Sequence, residues 1–214
     1  MTVKDYLRSD KLSSSAVITS VQLGETPIVR LDNTLFHPQG GGQRGDRGFI
    51  GPARVLDTRH AEGGEVDHFV DRVDALTIGD RVDIEVDALH RRQGAQLHSA
   101  GHLIAEAAQA LKPGLRAVAG HHWKGEARVE FEGAVEVDPA FATDLAQKLC
   151  DLAADALPVT VMGEPFTCRA VQIGDFEPVG CGGTHVKTTA ELTGIRLTGI
   201  RTRKGRLRIS YDLD

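Results

Sequence analysis

The first third of the chain alternates between apolar and polar positions. Ala16 to Leu23 and Thr26 to Leu31 are rich in Val, Ile and Thr and flank Gly24-Glu25, a pattern that predicts a β-hairpin closed by a two-residue loop. Further strand signals run from Gly48 to Leu56, Glu65 to Phe69 and Asp80 to Val86, parted by turns such as Glu62-Gly63-Gly64 and Ile78-Gly79-Asp80. Five or so short strands with no helix between them predict a small antiparallel β-barrel. Its expected span is residues 1–88.

Near Asp87 the period becomes helical. Leu89, Leu97, Ile104, Ala107, Ala108 and Leu111 fall on one side of a helix that Lys112-Pro113-Gly114 stops. A second helix opens at Asp138-Pro139, with Asp138 as cap and Pro139 at the first helical position, and runs to about Leu157. Phe141, Leu145, Leu149 and Leu152 form its apolar stripe. Strands are predicted over Leu115 to Gly120, Ala127 to Glu132, Pro158 to Met162 and Phe166 to Ile173. A terminal hairpin follows, Thr193 to Arg203 and Gly205 to Tyr211, turning at Lys204-Gly205. Its first strand loses alternation around Thr198-Gly199, which predicts a bulge. Helices on an antiparallel sheet over residues 89–214, after the barrel, make the chain α+β.

Composition changes this picture little. At 214 residues the chain can bury a usable core as one large domain or two small ones. No stretch is long and apolar enough to cross a membrane, and Met1 to Leu7 lacks the apolar region of a secretory signal, so a cytoplasmic protein is expected. The net charge of −5 confines any nucleic-acid contact to a local basic surface. Arg196, Arg201, Arg203, Lys204, Arg206 and Arg208 supply one, although a solvated hairpin face reads the same way.

The chemistry is concentrated in two segments. His98 and His102 lie four apart in the first helix, so both imidazoles leave one face. Cys181 and His185 repeat that spacing in Gly180-Cys181-Gly182-Gly183-Thr184-His185. One thiolate and three imidazoles suit Zn²⁺ in a tetrahedral site, provided the two segments meet. With nine histidines in the chain a single His-x-x-x-His says little; the glycine-flanked Cys and His add the weight. Cys150, Cys168 and Cys181 are too few and too scattered for a disulfide framework, and the first two are expected to fill core positions. No glutamate lies between His98 and His102, so the zinc-protease arrangement is absent. Gly40-Gly41-Gly42 cannot centre a strand and suits a sharp bend or a close approach to a partner.

Together these motifs resemble the editing domain shared by alanyl-tRNA synthetases and free-standing alanyl-tRNA editing proteins. Leu35 to Gly48 is similar to that family's glycine-rich signature, and Lys204 to Tyr211 to its closing hairpin. The threonyl-tRNA editing domain shares the His and Cys plan, but Cys181-Gly182-Gly183-Thr184-His185 and the triple glycine match the alanyl form better. The resemblance implies a glycine-motif barrel, a zinc-binding editing domain, and hydrolysis of the ester joining serine or glycine to tRNA(Ala). It implies a metal centre of His98, His102, Cys181 and His185, with Gln39, Gly40, Gly41 and Gly42 beside the substrate. Thr184 and Gln43 are candidates to read the serine hydroxyl, and Arg203, Lys204 and Arg206 to touch tRNA. His121-His122-Trp123 is similar to a segment near the family's substrate pocket, yet adjacent residues on a strand face opposite ways. At most one of His121 and His122 would then face the site, as an alternative ligand or a polar pocket group, and a surface turn is the expected place for His122. Two other readings remain: a zinc-stabilised RNA-binding module without catalysis, and a zinc hydrolase of small amino-acid esters.

Overall fold

The computed structural model describes residues 1–214. The chain divides into two compact units, one comprising residues 1–40 and 44–93, the other residues 41–43 and 94–214.

In the first unit, β1 (Val3–Lys4) pairs with β4 (Asn33–Thr34), while β2 (Ser13–Gln22), β3 (Ile28–Leu31), β5 (Gly48–Ile50), β6 (Ala53–His60), β7 (Val66–Val70) and β8 (Arg81–Val86) build a closed barrel in the order β2-β3-β7-β6-β5-β8. Every barrel pairing is antiparallel. The expected barrel is therefore observed, with two local corrections. Gln22 pairs with Ile28, so the hairpin loop holds residues 23–27 and is longer than two. The stretch from Gly48 to Leu56 is two strands, because Gly51 adopts φ +52 and Pro52 follows it, a combination that a continuous ladder does not tolerate. Inward positions such as Ile18, Val29, Leu31, Val55 and Ile84 are almost fully buried, as closure of an alternating sheet requires. Two polar clusters are buried with them. Arg91 holds the Asp46 carboxylate and donates to the Leu35 carbonyl at 2.6 Å. His68 has Nδ1 3.0 Å from the Val29 carbonyl and Nε2 2.8 Å from the Thr34 hydroxyl.

The second unit is a four-stranded antiparallel sheet in the order β14-β15-β10-β9, formed by β9 (Leu115–His121), β10 (Arg128–Gly133), β14 (Ile195–Arg203) and β15 (Arg206–Leu213). A smaller antiparallel sheet joins β11 (Val159–Met162), β12 (Ala170–Ile173) and β13 (Val179–Gly180). Helix α1 spans Ala88–Leu111 and α2 spans Phe141–Ala154. One core unites Leu97, Leu103, Ile104, Ala107 and Ala108 of α1 with Leu145 and Leu149 of α2 and Phe131, Leu207, Ile209 and Tyr211 of the large sheet. The expected bulge lies between Leu197 and Gly199. The Asp138 carboxylate accepts from the backbone N–H groups of Ala140 and Phe141, both at 2.9 Å, so it caps α2 although regular helix starts only at Phe141.

Several expectations here need correction. Leu89 is 82% exposed and Leu111 38%, because they occupy the terminal turns of α1, where the stripe continues but no core faces it. Cys150 is exposed, one step of about 100° round α2 from Leu149. Cys168 is also exposed, in the turn before β12, and Phe166 belongs to that turn and not to a strand.

Candidate metal centre and its cavity

His98 and His102 project from the middle of α1, where Ala100 and Gly101 between them are small enough for other elements to pack close. The loop after β13 carries Cys181 and His185 to the same place, and the donor atoms of all four residues lie within 4.8 Å of one another. Cys181 Sγ is 3.3 Å from His185 Nε2 and 3.5 Å from His98 Nε2. Bond lengths of about 2.0–2.1 Å to nitrogen and about 2.3 Å to sulfur put the N···S edge of a tetrahedral zinc site near 3.5 Å. The donor set therefore fits such an ion. A second observation supports the fit: His102 Nε2 is buried with no hydrogen-bond partner, a rare condition for a polar atom unless something coordinates it. Burial pushes the His102 imidazole down to about 4, which keeps the ring in the neutral form that binds metal. Burial pushes the Cys181 thiol up, opposed by the Gly183 N–H and the Arg169 charge; a bound cation would reverse that direction.

Behind the donors sits a layer that fixes their orientation. Gln43 is buried, and its Oε1 lies 2.9 Å from His98 Nδ1 while accepting from the Thr184 N–H at 2.9 Å. Its amide nitrogen donates to the Thr184 hydroxyl at 2.7 Å. An acceptor on Nδ1 sets the tautomer that turns the Nε2 lone pair of His98 toward Cys181. On the other side, the Ser99 hydroxyl is 3.2 Å from His185 Nδ1 and accepts from the Val186 N–H at 3.2 Å. The glycines permit the approach. A Cβ on Gly183 would lie 2.1 Å from the His98 ring, and one on Gly42, whose φ is +80, would lie 2.5 Å from the Gly120 carbonyl oxygen. Gly182 has open space around it.

A cavity of about 400 Å³ opens on this cluster, lined by His98, His102 and Cys181 together with Glu106, Gly41 and His122. The structure thus gathers the four proposed ligands in one cluster and places three of them, His98, His102 and Cys181, with Gly41 on the cavity. Gln43 and Thr184 do not line it; their side-chain groups are engaged with each other and with His98. Gln39 and Gly40 belong to the first unit, where Gln39 bridges to Arg59. Arg203 and Lys204 are exposed at the β14–β15 turn, whereas Arg206 is held by Glu132 at 2.8 Å.

His122 is the largest departure from expectation. It is only 6% exposed, its ring stacks on His98 with centroids 4.9 Å apart, and its Nδ1 is 2.6 Å from the Tyr211 hydroxyl. Burial pushes it down to about 3. Its N–H donates to the Gly42 carbonyl at 2.9 Å, so the chain turns inward where a surface turn was expected. His121 instead packs against Trp123, with ring centroids 4.7 Å apart and planes tilted by 35°, and lies 3.4 Å from the Glu126 carboxylate. Sequence reasoning also passed over Ser99, Glu106 and Tyr211. Ser99 could have been suspected from its place between two ligands, but nothing in the alternation of β15 separates Tyr211 from an ordinary core residue.

Comparison with known proteins accords with this geometry. Residues 168–210 match the family model for the threonyl and alanyl tRNA synthetase second additional domain. The alanine–tRNA ligases of Frankia alni and Streptomyces avermitilis are 31% and 30% identical over 87% and 82% of this chain, which spans about a quarter of their length, 24% and 23%. The alanyl-tRNA editing protein AlaX-M of Pyrococcus horikoshii is 31% identical over 78% of both chains. The chain belongs to the alanyl-tRNA editing protein family.

Proposed function

We propose that the protein is an aminoacyl-tRNA hydrolase that cleaves serine, and to a smaller extent glycine, from mischarged tRNA(Ala), acting in the cytoplasm where charged tRNA is used. The observation that carries this reading is the convergence of His98, His102, Cys181 and His185 in one cluster, with the first three lining a cavity, in a member of this family. An activation site built for a methyl side chain cannot strongly reject a hydroxyl-bearing or slightly smaller analogue, so a second site must remove the error. The four residues would hold Zn²⁺, which when bound supplies a fixed positive charge and Lewis acidity beside the ester.

The chain's own part is to position and to enclose. Gln43 and Ser99 hold His98 and His185 in single orientations, so the cluster loses little freedom when substrate arrives. The half-buried Glu106, whose carboxyl is pushed up by burial and then by Glu177, offers an acceptor in the cavity for the α-ammonium of the amino acid. The exposed turn with Arg203 and Lys204 offers phosphate contacts. Full-length protein given Ser-, Gly- and Ala-tRNA(Ala) should release serine fastest and spare alanine, and its activity should disappear on metal chelation and return with zinc. Hydrolysis of small seryl esters at the same efficiency as the charged tRNA would instead favour a general esterase. Zinc binding and RNA binding without any deacylation would make it a binding module.

A further inference from the structure

Resting on the editing function just proposed, we propose that His122 is the residue that reads the serine side chain, its Nε2 accepting a hydrogen bond from the substrate hydroxyl. The tautomer follows from the hydrogen bonds. The Tyr211 hydroxyl lies 2.8 Å from the Leu97 carbonyl and 2.6 Å from His122 Nδ1. A carbonyl can only accept, and the hydroxyl has a single proton, so both bonds form only if Tyr211 donates to Leu97 and accepts from an Nδ1–H of His122. The lone pair of the neutral ring is then on Nε2, which has no partner within the chain.

The surroundings hold that lone pair in place and keep it open. His122 lines the cavity together with His98 and Gly120. Cβ atoms at Gly101 and Gly120 would fall 2.3 Å from ring atoms of His122, at Gly120 directly against Nε2, and one at Gly42 would fall 2.9 Å from Cδ2. Three glycines thus make the slot that the ring fills, and the one beside Nε2 leaves that nitrogen uncovered. Ala117, Val118, Ala119 and Val129 give this cavity apolar lining, and Gln109, which also lines it, accepts from the Ala117 N–H at 2.9 Å with its Oε1. An uncharged acceptor in such a wall suits a hydroxyl and does not neutralise an ammonium, for which the carboxylate of Glu106 is present in the same cavity. Alanine would leave Nε2 dehydrated and unpartnered, which is how a site built round a polar group rejects the analogue lacking it.

The test compares kcat/KM for Ser-tRNA(Ala) and Gly-tRNA(Ala) in wild type, His122→Leu and His122→Gln, with zinc content and Tm measured on the same preparations. His122→Leu should lower the serine-to-glycine ratio roughly 30-fold, the size expected for one buried hydrogen bond, and His122→Gln, which retains an acceptor, should recover part of it. Equal losses on both esters would assign the contact to the shared ammonium or ester and overturn the proposal. Loss of zinc or a collapsed Tm in both variants would show that the ring also supports His98, so that the variants no longer report on the hydroxyl contact. For that case the ¹⁵N signal of His122 Nε2 is followed in wild type while amide-linked seryl- and alanyl-adenosine are added. A shift with the seryl compound alone supports the proposal, and no difference between the two overturns it. If wild type deacylates neither tRNA, the editing function falls, while the ¹⁵N comparison still decides the role of His122.

Discussion

At the scale of single residues, the metal cluster depends as much on what stands behind the donors as on the donors. Cys181→Ala removes the only sulfur among the four candidate ligands, so elemental analysis should find one zinc per chain in the purified wild type under the proposed function and none in this variant. Gln43→Ala removes no ligand, yet it frees His98 Nδ1 and strips the Thr184 N–H and hydroxyl of their partner. Zinc affinity measured by chelator competition should fall about 10- to 100-fold, and an unchanged affinity would mean that the helix alone orients His98. The candidate ligands could be picked out in the sequence because spacing on a helix gives His98 and His102 one direction and because glycines flank Cys181 in the loop that leads to His185. Gln43 was visible only as a polar residue after three glycines, since its role rests on a contact with Thr184 at a sequence separation of 141.

At the scale of elements, the glycine run and the terminal hairpin each separate into parts that matter differently. Gly41 and Gly42 both have positive φ, but a Cβ at Gly41 would meet only His98 Cε1 at 3.9 Å, whereas at Gly42 it would strike the Gly120 carbonyl and the His122 ring. Gly42→Ala should therefore abolish most deacylation, and Gly41→Ala should cost about 1 kcal/mol of stability while keeping measurable activity. Equal effects in the two variants would show that backbone strain, and not the close approach, is what matters. In the hairpin, Arg201 faces Arg208 and Arg203 faces Arg206 across the ladder. Glu130 and Glu132 of β10 relieve this on one strand only, binding Arg208 at 2.7 Å and Arg206 at 2.8 Å. Charge reversal at Arg203 and Lys204 should flatten the salt dependence of tRNA binding by about one unit of slope per lost phosphate contact. Reversal at Arg206 should instead lower Tm through repulsion by Glu130 and Glu132, and an unchanged salt slope at the tip would make it a solvated face. The barrel, both helices and the β14–β15 hairpin could be read from period and turn residues. The inward path of His122 could not, because it is decided by partners distant in sequence, whereas the turn at Gly51-Pro52 was signalled locally by its Gly-Pro pair and was passed over.

At the scale of the whole molecule, buried histidines tie stability to pH. Burial pushes His37 and His68 down to about 4 from an ordinary 6.5, and a protonated His68 would also force the Thr34 hydroxyl to accept from its Nε2 in place of donating to it. Because the folded pKa lies below the unfolded one, the unfolded chain takes up protons between pH 6.5 and 4 that the folded chain refuses. Stability should thus be complete above about pH 6.5 and decline toward pH 4 by about 1.4 kcal/mol per pH unit for each such histidine. Urea midpoints at pH 7 and pH 5 test this, and a flat profile would contradict the burial of these rings. His102 and His122 add to the decline in metal-free protein. The division of the chain also bears on how the molecule can be cut. Because residues 41–43 group with the second unit while the chain on either side of them groups with the first, the part that carries the metal cluster is not one continuous stretch of polypeptide. A fragment beginning at residue 94 would contain all four donors and still leave the His98 Nδ1, the Thr184 N–H and the His122 N–H without the acceptors that Gln43 and Gly42 give them. No single pair of scissors cuts makes a gene segment for this site, so recombination could transfer it intact only together with the barrel strands through which its three borrowed residues are threaded.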